Sequence, residues 1–292
     1  MKKIAIVLST YNNEKIIRKT LLSCLHQNYK NYYMVICDDG SSDSTLAIER
    51  EFQQEHSNLF IISLPHGERG IARKTAIEKV KELGCDFLYI MDSDMQLPPD
   101  FLEKINAYLD KNSQVGALVI PEIPYSNFNN FFTKVKVFER KIINNGEEDI
   151  GKNSIEAARF WKYSEYLKSG EINFSQISFE ETQPTIRYLS KGGIIKRASF
   201  TGVFHDEGYL TLKNILKKKL YYFSVMDKTL ESEENGFLKA LSRWYFFRPI
   251  LYSKKNIKEY FKHPILFLGM IYMYLLLSII GVYAIIKNSS SK

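Results

Sequence analysis

Two aspartates one residue apart, Asp92 and Asp94, directly follow a short apolar run. Carboxylates that meet at the end of a strand can bind Mg²⁺ or Mn²⁺, and either cation also accepts phosphate oxygens. A cation held there would neutralise a diphosphate group. Because an Asp-x-Asp triplet is also a common turn, its chemistry depends on where the fold places it.

A second acidic cluster begins at Asp38 and Asp39 and runs through Gly40 to Thr45. Turn and helix-cap chemistry accounts for Gly40 and Ser44. It does not require two consecutive aspartates, and a carboxylate at a strand end can accept hydrogen bonds from a nucleobase or a ribose. We therefore expect this cluster to serve a nucleotide site as well as a turn.

Short apolar runs alternate with amphipathic helical stretches over the first 120 residues. They predict strands at 4–8, 34–37, 60–62, 87–91 and 115–120, with helices at 15–27 and 71–83. This order predicts an α/β fold with a mostly parallel central sheet and helices on both faces. The ligand site of such a sheet lies beyond the carboxyl ends of its strands, where the polar clusters fall.

The remainder of the chain gives a weaker pattern. It predicts helices at 129–143, 154–167, 180–189 and 213–222, and one strand over 194–205. The net charge of +7 arises largely after residue 212, where basic residues alternate with apolar and aromatic ones. That alternation is typical of a membrane surface, and the spacings of DNA-binding zinc fingers are absent, so we expect no nucleic-acid partner. Three cysteines without Cys-x-x-Cys spacing indicate a reducing compartment.

The segment from 264 to 286 contains no Asp, Glu, Lys or Arg. Its length suffices to cross a hydrocarbon core of about 30 Å as one helix. Because Gly269, Ser278 and Gly281 interrupt it, a buried core helix or an interfacial hairpin is the alternative. The basic residues before it place the preceding domain on the cytoplasmic side. We expect a catalytic domain over 1–230, divided near 120, a membrane-surface linker over 231–263, a transmembrane helix over 264–286 and a tail over 287–292.

Five segments in order, 9–14, 22–29, 38–45, 70–74 and 92–94, resemble the signature of family 2 inverting glycosyltransferases of the GT-A fold. The resemblance covers roughly residues 2–120. It implies that Thr10 and Glu14 line the donor site, that Asp39 contacts the base, that Arg73 lies close to the diphosphate, that Asp92 lies near the ribose or the metal, and that Asp94 ligates the metal. The sequence departs from the family at His66 and Lys74, where Asn is common.

The same resemblance extends thinly into the second half. Glu180 and Glu181, six residues before Arg187, match a Glu-Asp pair of the family, and the match makes Glu181 the general base for an acceptor hydroxyl. An acidic first turn of a helix is the structural alternative. His205 corresponds to a region that supplies an additional metal or diphosphate ligand, although a lone histidine is often structural. Arg243 and Trp244 resemble a motif of processive synthases, but Ala240 replaces its glutamine.

The sequence therefore predicts a metal-dependent inverting glycosyltransferase, with Mg²⁺ or Mn²⁺, at the cytoplasmic membrane face. Its expected partners are a UDP- or GDP-linked sugar donor and a polyprenyl-phosphate, lipid-linked or other glycan acceptor. A catalytically silent membrane scaffold that binds a nucleotide sugar is the alternative. A nucleotidyltransferase ranks last because residues 9–14 replace its glycine-rich loop. Neither the donor base nor the sugar nor the acceptor is defined by sequence.

Overall fold

The computed structural model describes residues 1–67, 69–151, 154, 156–170, 182–224 and 245–289. These residues form two units. The first contains residues 1–121, 147–170 and 182–205, and the second contains residues 122–146, 206–224 and 245–289. All of the described residues that the sequence assigned to the donor or the metal lie in the first unit.

The first unit is built on a seven-stranded sheet whose order is β3-β2-β1-β4-β8-β6-β9. Strands β1 to β4 pair in parallel, as do β6 and β9, while β8 runs antiparallel to both of its neighbours. The predicted α/β fold with a mostly parallel central sheet is confirmed. The strands of the protein are β1 (Ile4–Thr10), β2 (Tyr32–Asp38), β3 (Leu59–Ser63), β4 (Phe87–Ile90), β5 (Met95–Gln96), β6 (Ala117–Val119), β7 (Glu122–Tyr125), β8 (Phe160–Lys162), β9 (Ile195–Arg197) and β10 (Val203–Asp206).

Helices cover both faces of this sheet, because successive strand residues point to opposite sides. Ile4, Ile6 and Leu8 pack with α1, α2 and α4, whereas Ala5 and Val7 pack with α3, α6 and α7. The helices are α1 (Ile17–Leu25), α2 (Thr45–Glu55), α3 (Arg69–Glu82), α4 (Phe101–Lys111), α5 (Phe131–Asn144), α6 (Tyr163–Ser169), α7 (Thr182–Ser190), α8 (Leu212–Ser224), α9 (Lys254–Lys262) and α10 (Pro264–Ser289).

Two predicted elements beyond residue 121 are wrong. The helix predicted over 154–167 is instead the strand β8 followed by the short helix α6. Phe160 and Trp161 are fully buried on opposite faces of the sheet, and the strand that carries them is inserted between β4 and β6. The single strand predicted over 194–205 is two strands, β9 and β10, because a turn interrupts it.

The second unit packs α10 against α5 and α8. Val135, Phe138 and Ile142 of α5 share its core with an apolar face of α10 formed by Met270, Met273, Tyr274 and Leu277. The opposite face of α10 is apolar and exposed, with exposed fractions of 51–70% at Ile265, Leu268, Tyr272, Leu275, Ile279 and Val282. Residues 264–284 are long and apolar enough to cross a membrane by length and composition, and a third of the most apolar window is buried.

Candidate active site

The loops after β1 and β2 are joined by side-chain hydrogen bonds at the carboxyl edge of the sheet. Thr10 ends β1 opposite Asp38, which ends β2. The Thr10 hydroxyl donates to one carboxylate oxygen of Asp38 over 3.4 Å, and the N–H of Ser41 donates to the other over 3.0 Å. Asn12, at a φ of 50°, accepts from the N–H of Ser42. The two loops therefore hold each other in place.

Asp39 follows this pair and is only 5% exposed. One of its oxygens accepts from the N–H of Gly67 over 3.1 Å, and the other lies 3.2 Å from Nδ1 of His66. Gly40 permits this approach, because its φ is 69° and an added Cβ would lie 2.4 Å from the backbone nitrogen of His66. The exposed rings of Tyr11 and His66 stack with centroids 4.0 Å apart. The carboxylate thus lies beside an exposed aromatic pair.

Glu14 forms a further connection between the same loops. Its carboxylate accepts from the N–H of Ser44, immediately before α2, over 3.1 Å. Its own N–H donates to Asp43 over 3.2 Å. Desolvation by itself would raise the pKa of Asp43, but hydrogen bonds from Thr45 and Glu14 outweigh this effect and lower the pKa. Glu14 is placed at the predicted edge, where it anchors a loop.

Asp92 lies just beyond β4 and is bound by two arginines. Arg73, from α3, donates to Oδ1 over 3.1 Å, and Arg159 donates to Oδ2 over 3.0 Å. Arg73 is 2% exposed although it carries a charge, and the Asp92 side chain is 24% exposed. The result is a carboxylate between two guanidinium groups, in a partly buried place where such pairs are strong.

Sequence patterns did not single out Arg159. Its carbonyl accepts from the N–H of Ile90, and its own N–H donates to Leu118, so its backbone is held between β4 and β6. The strand that it precedes lies within the segment 154–167, for which the sequence predicts a helix. The adjacent bulky pair, Phe160 and Trp161, was the available signal of a buried strand.

Asp94 and His205 are brought together by an antiparallel pair of short strands. In this pair β5 lies beside β10, with His205 opposite Met95. The Nε2 atom of His205 lies 3.7 Å from Oδ2 of Asp94. The Asp94 side chain is 47% exposed and that of His205 is 13% exposed.

The residues present fit a divalent cation at this point. An octahedral Mg²⁺ or Mn²⁺ holds adjacent ligand atoms about 3 Å apart, close to the Asp94–His205 separation of 3.7 Å. A carboxylate oxygen and an imidazole nitrogen leave further positions for phosphate oxygens and water. Asp92 is less suited than Asp94 to bind the cation, because each of its carboxylate oxygens already accepts a hydrogen bond from an arginine.

The predicted general base, Glu181, lies outside the described residues, as do Glu180, Ala240, Arg243 and Trp244. The helix predicted over 180–189 is confirmed from residue 182 onwards, as α7. Arg187, which the family match included, donates from Nε to the Ser169 carbonyl over 2.7 Å and from a terminal nitrogen to Gly170 over 3.0 Å. Its described contacts therefore tie α7 to the end of α6.

The cysteine thiols are poorly suited to covalent chemistry. Burial raises the pKa of Cys24 and of Cys37 to about 12, and the pKa of Cys85 to about 11. All three are buried and free. Since a thiolate is the reactive form, these residues serve as core packing.

The fold indicates the general class of protein, and the family match then makes it more specific. A mannosyltransferase from Pyrobaculum calidifontis, solved with GDP-Man and Mn²⁺, superposes with a TM-score of 0.60 over 97% of this chain and 87% of its own, at 13% identity. At that identity the likeness shows the fold alone, which is the GT-A fold. The family description "Glycosyl transferase family 2" matches residues 5–165, more than half of the 292 residues. The chain belongs to this family.

Two curated relatives act on lipid-linked acceptors, according to their names. The UDP-N-acetylglucosamine–dolichyl-phosphate N-acetylglucosaminyltransferase of Methanococcus voltae is 32% identical over 117 residues, 36% of this chain and 46% of its own length. The UDP-Glc:alpha-D-GlcNAc-diphosphoundecaprenol beta-1,3-glucosyltransferase WfgD of Escherichia coli is 29% identical over 134 residues, 41% of this chain and 51% of its own. The match spans about half the length of four curated relatives, at 45–51%, and 14–35% of the length of four others.

Proposed function

We propose that this glycosyltransferase moves a sugar from a UDP- or GDP-linked donor to a lipid-linked acceptor, with inversion and with a divalent cation. The observation that supports it most directly is the proximity of Asp94 and His205. Asp94 directly precedes β5, His205 lies in β10, which pairs with β5, and Asp92, two residues before Asp94, binds two arginines. A metal ligand pair next to a guanidinium pair is suited to a diphosphate leaving group.

The donor nucleotide is proposed to bind at the loops after β1 and β2. The Asp39 carboxylate can accept from the N–H groups of a nucleobase, and the exposed Tyr11–His66 pair next to it offers an aromatic face. Thr10 donates a hydrogen bond to Asp38, and Glu14, which accepts one from Ser44, anchors the loop that carries Tyr11. The donor roles that the resemblance gave to Thr10 and Glu14 are, on this geometry, roles in shaping the pocket.

The chemical step is proposed to rest on three sets of side chains. Asp94 and His205 hold the cation, which supplies charge neutralisation of the departing diphosphate when it is bound. Arg73 and Arg159 are held by Asp92 beside that site and add positive charge to it. For an acceptor that presents a hydroxyl, Glu181 takes its proton as the oxygen attacks the anomeric carbon from the side opposite the diphosphate, so the configuration inverts. A phosphate acceptor is already ionised and needs no such base.

The acceptor is proposed to reach the enzyme at a membrane surface. In α9 the basic residues alternate with exposed Ile257 and Phe261, and Tyr252 beside it is also exposed. Such a segment binds the headgroup region of a membrane. The two relatives named above take dolichyl-phosphate and a diphosphoundecaprenol-linked sugar, which gives a lipid-linked acceptor chemical support.

The buried face of α10 favours attachment along the membrane surface over a span. Tyr274, near the middle of α10, donates to the carboxylate of Glu139, which Lys136 also binds. A span would bring these charged groups to the centre of the bilayer, where each charged side chain costs about 3 kcal/mol or more. We therefore propose that the exposed apolar face of α10 enters the interface from the cytoplasmic side.

The function is tested by transfer from a panel of UDP- and GDP-sugars to polyprenyl-phosphate and lipid-diphosphate acceptors with Mn²⁺. We expect Asp94→Ala to lower kcat/KM by about a hundredfold or more, because the cation contributes several kcal/mol of transition-state stabilisation. Chelation of the metal should abolish transfer in the wild type, and added Mn²⁺ should restore it.

The matched control is Asp110→Ala, which removes an exposed aspartate from the end of α4. Its rate should equal that of the wild type. If Asp94→Ala or the chelated enzyme transfers sugar at the wild-type rate, the metal site is wrong. Binding of a nucleotide sugar without turnover on any acceptor would instead support a silent scaffold.

A further inference from the structure

Glu49 is an acidic side chain in the core of the first unit. α2 buries Thr45, Glu49 and Phe52, which lie on one face of the helix. Glu49 is 0% exposed, and neither carboxyl oxygen has a hydrogen-bond partner in the described part of the chain. The neighbouring Arg50 is engaged elsewhere, since it donates to the side chain of Gln53. A buried carboxylate without such partners is strongly disfavoured.

The polar groups that act on Glu49 lie at the ends of β1 and β2. The Thr10 hydroxyl is near enough to stabilise an anion on Glu49, yet it donates to Asp38 and makes no hydrogen bond to Glu49. The Asp38 carboxylate repels a negative charge there, as Asp43 does more weakly, and Arg50 attracts it. Glu49 therefore lies close to Thr10 and Asp38, the pair that joins the ends of β1 and β2.

The other elements around α2 add little charge. From α1, Arg18 binds Glu51 at the surface, over 2.8 Å. β3 has the sequence LFIIS and contains no ionisable side chain. Cys37 of β2 is influenced by Glu49, but burial raises the pKa of that thiol to about 12, so it stays neutral near neutral pH. The ionisation of Glu49 is thus governed by burial and by Asp38.

Burial raises the pKa of Glu49 from its ordinary value to about 8, with repulsion from Asp38 adding to the shift and the Thr10 hydroxyl opposing it. The carboxyl group is consequently protonated at neutral pH. In that form it has one O–H donor, and the acceptors available to it are the Thr10 oxygen and the Asp38 carboxylate. Loss of the proton would place a second negative charge in the core, where the charge of Asp38 repels it.

We propose that Glu49 is a positioning residue for the nucleotide site: its neutral form holds Thr10 and Asp38 in place, and its ionisation weakens nucleotide binding. This inference rests on the proposed nucleotide-sugar function and deepens it. It makes the donor affinity pH-dependent through a group that does not touch the donor. Affinity should be full near neutral pH and should fall as the pH rises through the range in which Glu49 loses its proton.

The test is the dissociation constant of UDP and of GDP with Mg²⁺, measured on the full chain in detergent from about pH 6.5 to about pH 9. We expect the wild type to bind about fivefold more weakly at about pH 9, the change produced by a group with a pKa of about 8 whose pKa rises by one unit on binding. Glu49→Gln keeps the size and a neutral donor, so it should bind as the wild type does near neutrality and should lose this pH dependence. Glu51→Gln, an exposed change on the same helix, should follow the wild type throughout.

Three outcomes would overturn the inference. A wild-type affinity that does not change with pH would overturn it without the use of any variant. The test therefore does not depend on whether Glu49→Gln folds. A pH dependence that Glu49→Gln shares with the wild type assigns the ionisation to another group. If neither nucleotide binds at any pH, the proposed nucleotide-sugar function fails, and this inference fails with it; binding with a profile that does not depend on Glu49 overturns this inference alone.

Discussion

Asp92 sits between Arg73 and Arg159, and each carboxylate oxygen accepts from one guanidinium group. The aspartate therefore keeps two cations oriented at a site where one of them, Arg73, is nearly buried. Arginine is suited to this role because its planar group can bind a carboxylate on one edge and phosphate oxygens on another. At the scale of single residues, we interpret Asp92 as the support of a cationic pair and Asp94 as the ligand of the metal.

Removal of Arg159 tests that interpretation. A charge-assisted hydrogen bond of this kind contributes about 1.5–3 kcal/mol, so Arg159→Met should lower kcat/KM by roughly tenfold to a hundredfold. Arg159→Lys retains the positive charge but lacks the planar, multi-donor guanidinium group, so it should recover part of the lost activity. The measurement is steady-state kinetics with the donor found in the panel. Arg18→Met, a change at an exposed ion pair, is the control, and wild-type kinetics in Arg159→Met would contradict the proposed pair.

At the scale of the elements, α5 carries a buried acid in the second unit whose pKa is strongly lowered. Glu139 is 2% exposed; it accepts from Lys136 over 2.6 Å and from Tyr274 of α10 over 2.8 Å. Burial alone would raise its pKa, but the charges of Lys136, Arg248 and Arg140 prevail and hold the pKa at about 2. The same group thus joins α5 to α10 and satisfies the buried Tyr274 hydroxyl. This contact orients α10, because its apolar face alone could pack in several rotations.

Glu139→Gln is expected to destabilise this helix pair. Loss of one partner of a buried ion pair costs about 3–5 kcal/mol, which corresponds to a fall in Tm of roughly 5–15 °C. The pKa of Glu139 is depressed in the folded state, so its stabilising contribution is complete above the unfolded value and is lost as the pH falls from about 4.5 towards about 2. Thermal unfolding by circular dichroism at several pH values measures both effects.

The control for that experiment is Glu103→Gln, an exposed change on α4. Its Tm should equal that of the wild type. The difference in Tm between wild type and Glu139→Gln should narrow on acidification. A difference that is constant over the acid range would mean that the ionisation of Glu139 does not stabilise the fold.

At the scale of the whole molecule, the proposed attachment to a membrane rests on the second unit. Its helix α10 has one face in the core and one exposed stripe at three- and four-residue spacing, formed by Ile265, Leu268, Tyr272, Leu275, Ile279 and Val282. An exposed apolar stripe of this length is unfavourable in water, because such area stabilises a protein only when it is removed from solvent. The basic and aromatic residues of α9 indicate that lipid, rather than another protein, covers this stripe.

Three lysines placed on this stripe should release the protein from membranes. Leu268, Leu275 and Ile279 are 63%, 51% and 64% exposed, so their replacement by Lys leaves the buried face of α10 intact. Each lysine opposes insertion by up to about 3 kcal/mol. Flotation with vesicles, before and after an alkaline wash, should find the wild type with the lipid and the triple variant in the soluble fraction. A triple variant that stays with the lipid, with an unchanged Tm, would contradict attachment through this face.

The sequence by itself determined the sheet and the edge at which the site lies. The apolar runs 4–8, 34–37 and 87–91 predicted parallel strands, and the structure confirms them as Ile4–Thr10, Tyr32–Asp38 and Phe87–Ile90, with no end shifted by more than two residues. Such runs are legible because a strand buried on both faces must be apolar throughout its length, and a parallel sheet collects its carboxyl ends on one side. The acidic clusters that follow those strands were therefore identifiable without coordinates.

The partners of those acids were decided by tertiary structure. Arg159 reaches Asp92 from 67 positions along the chain, because a strand that reads locally as a helix is inserted between β4 and β6. His205 reaches Asp94 through antiparallel pairing of two strands that are too short to show a periodicity. Glu49 looked like one more polar residue of a helix until the packing of α2 enclosed it. Local periodicity records which face of an element is buried, but contacts between distant segments depend on how the elements pack, and no local pattern specifies that.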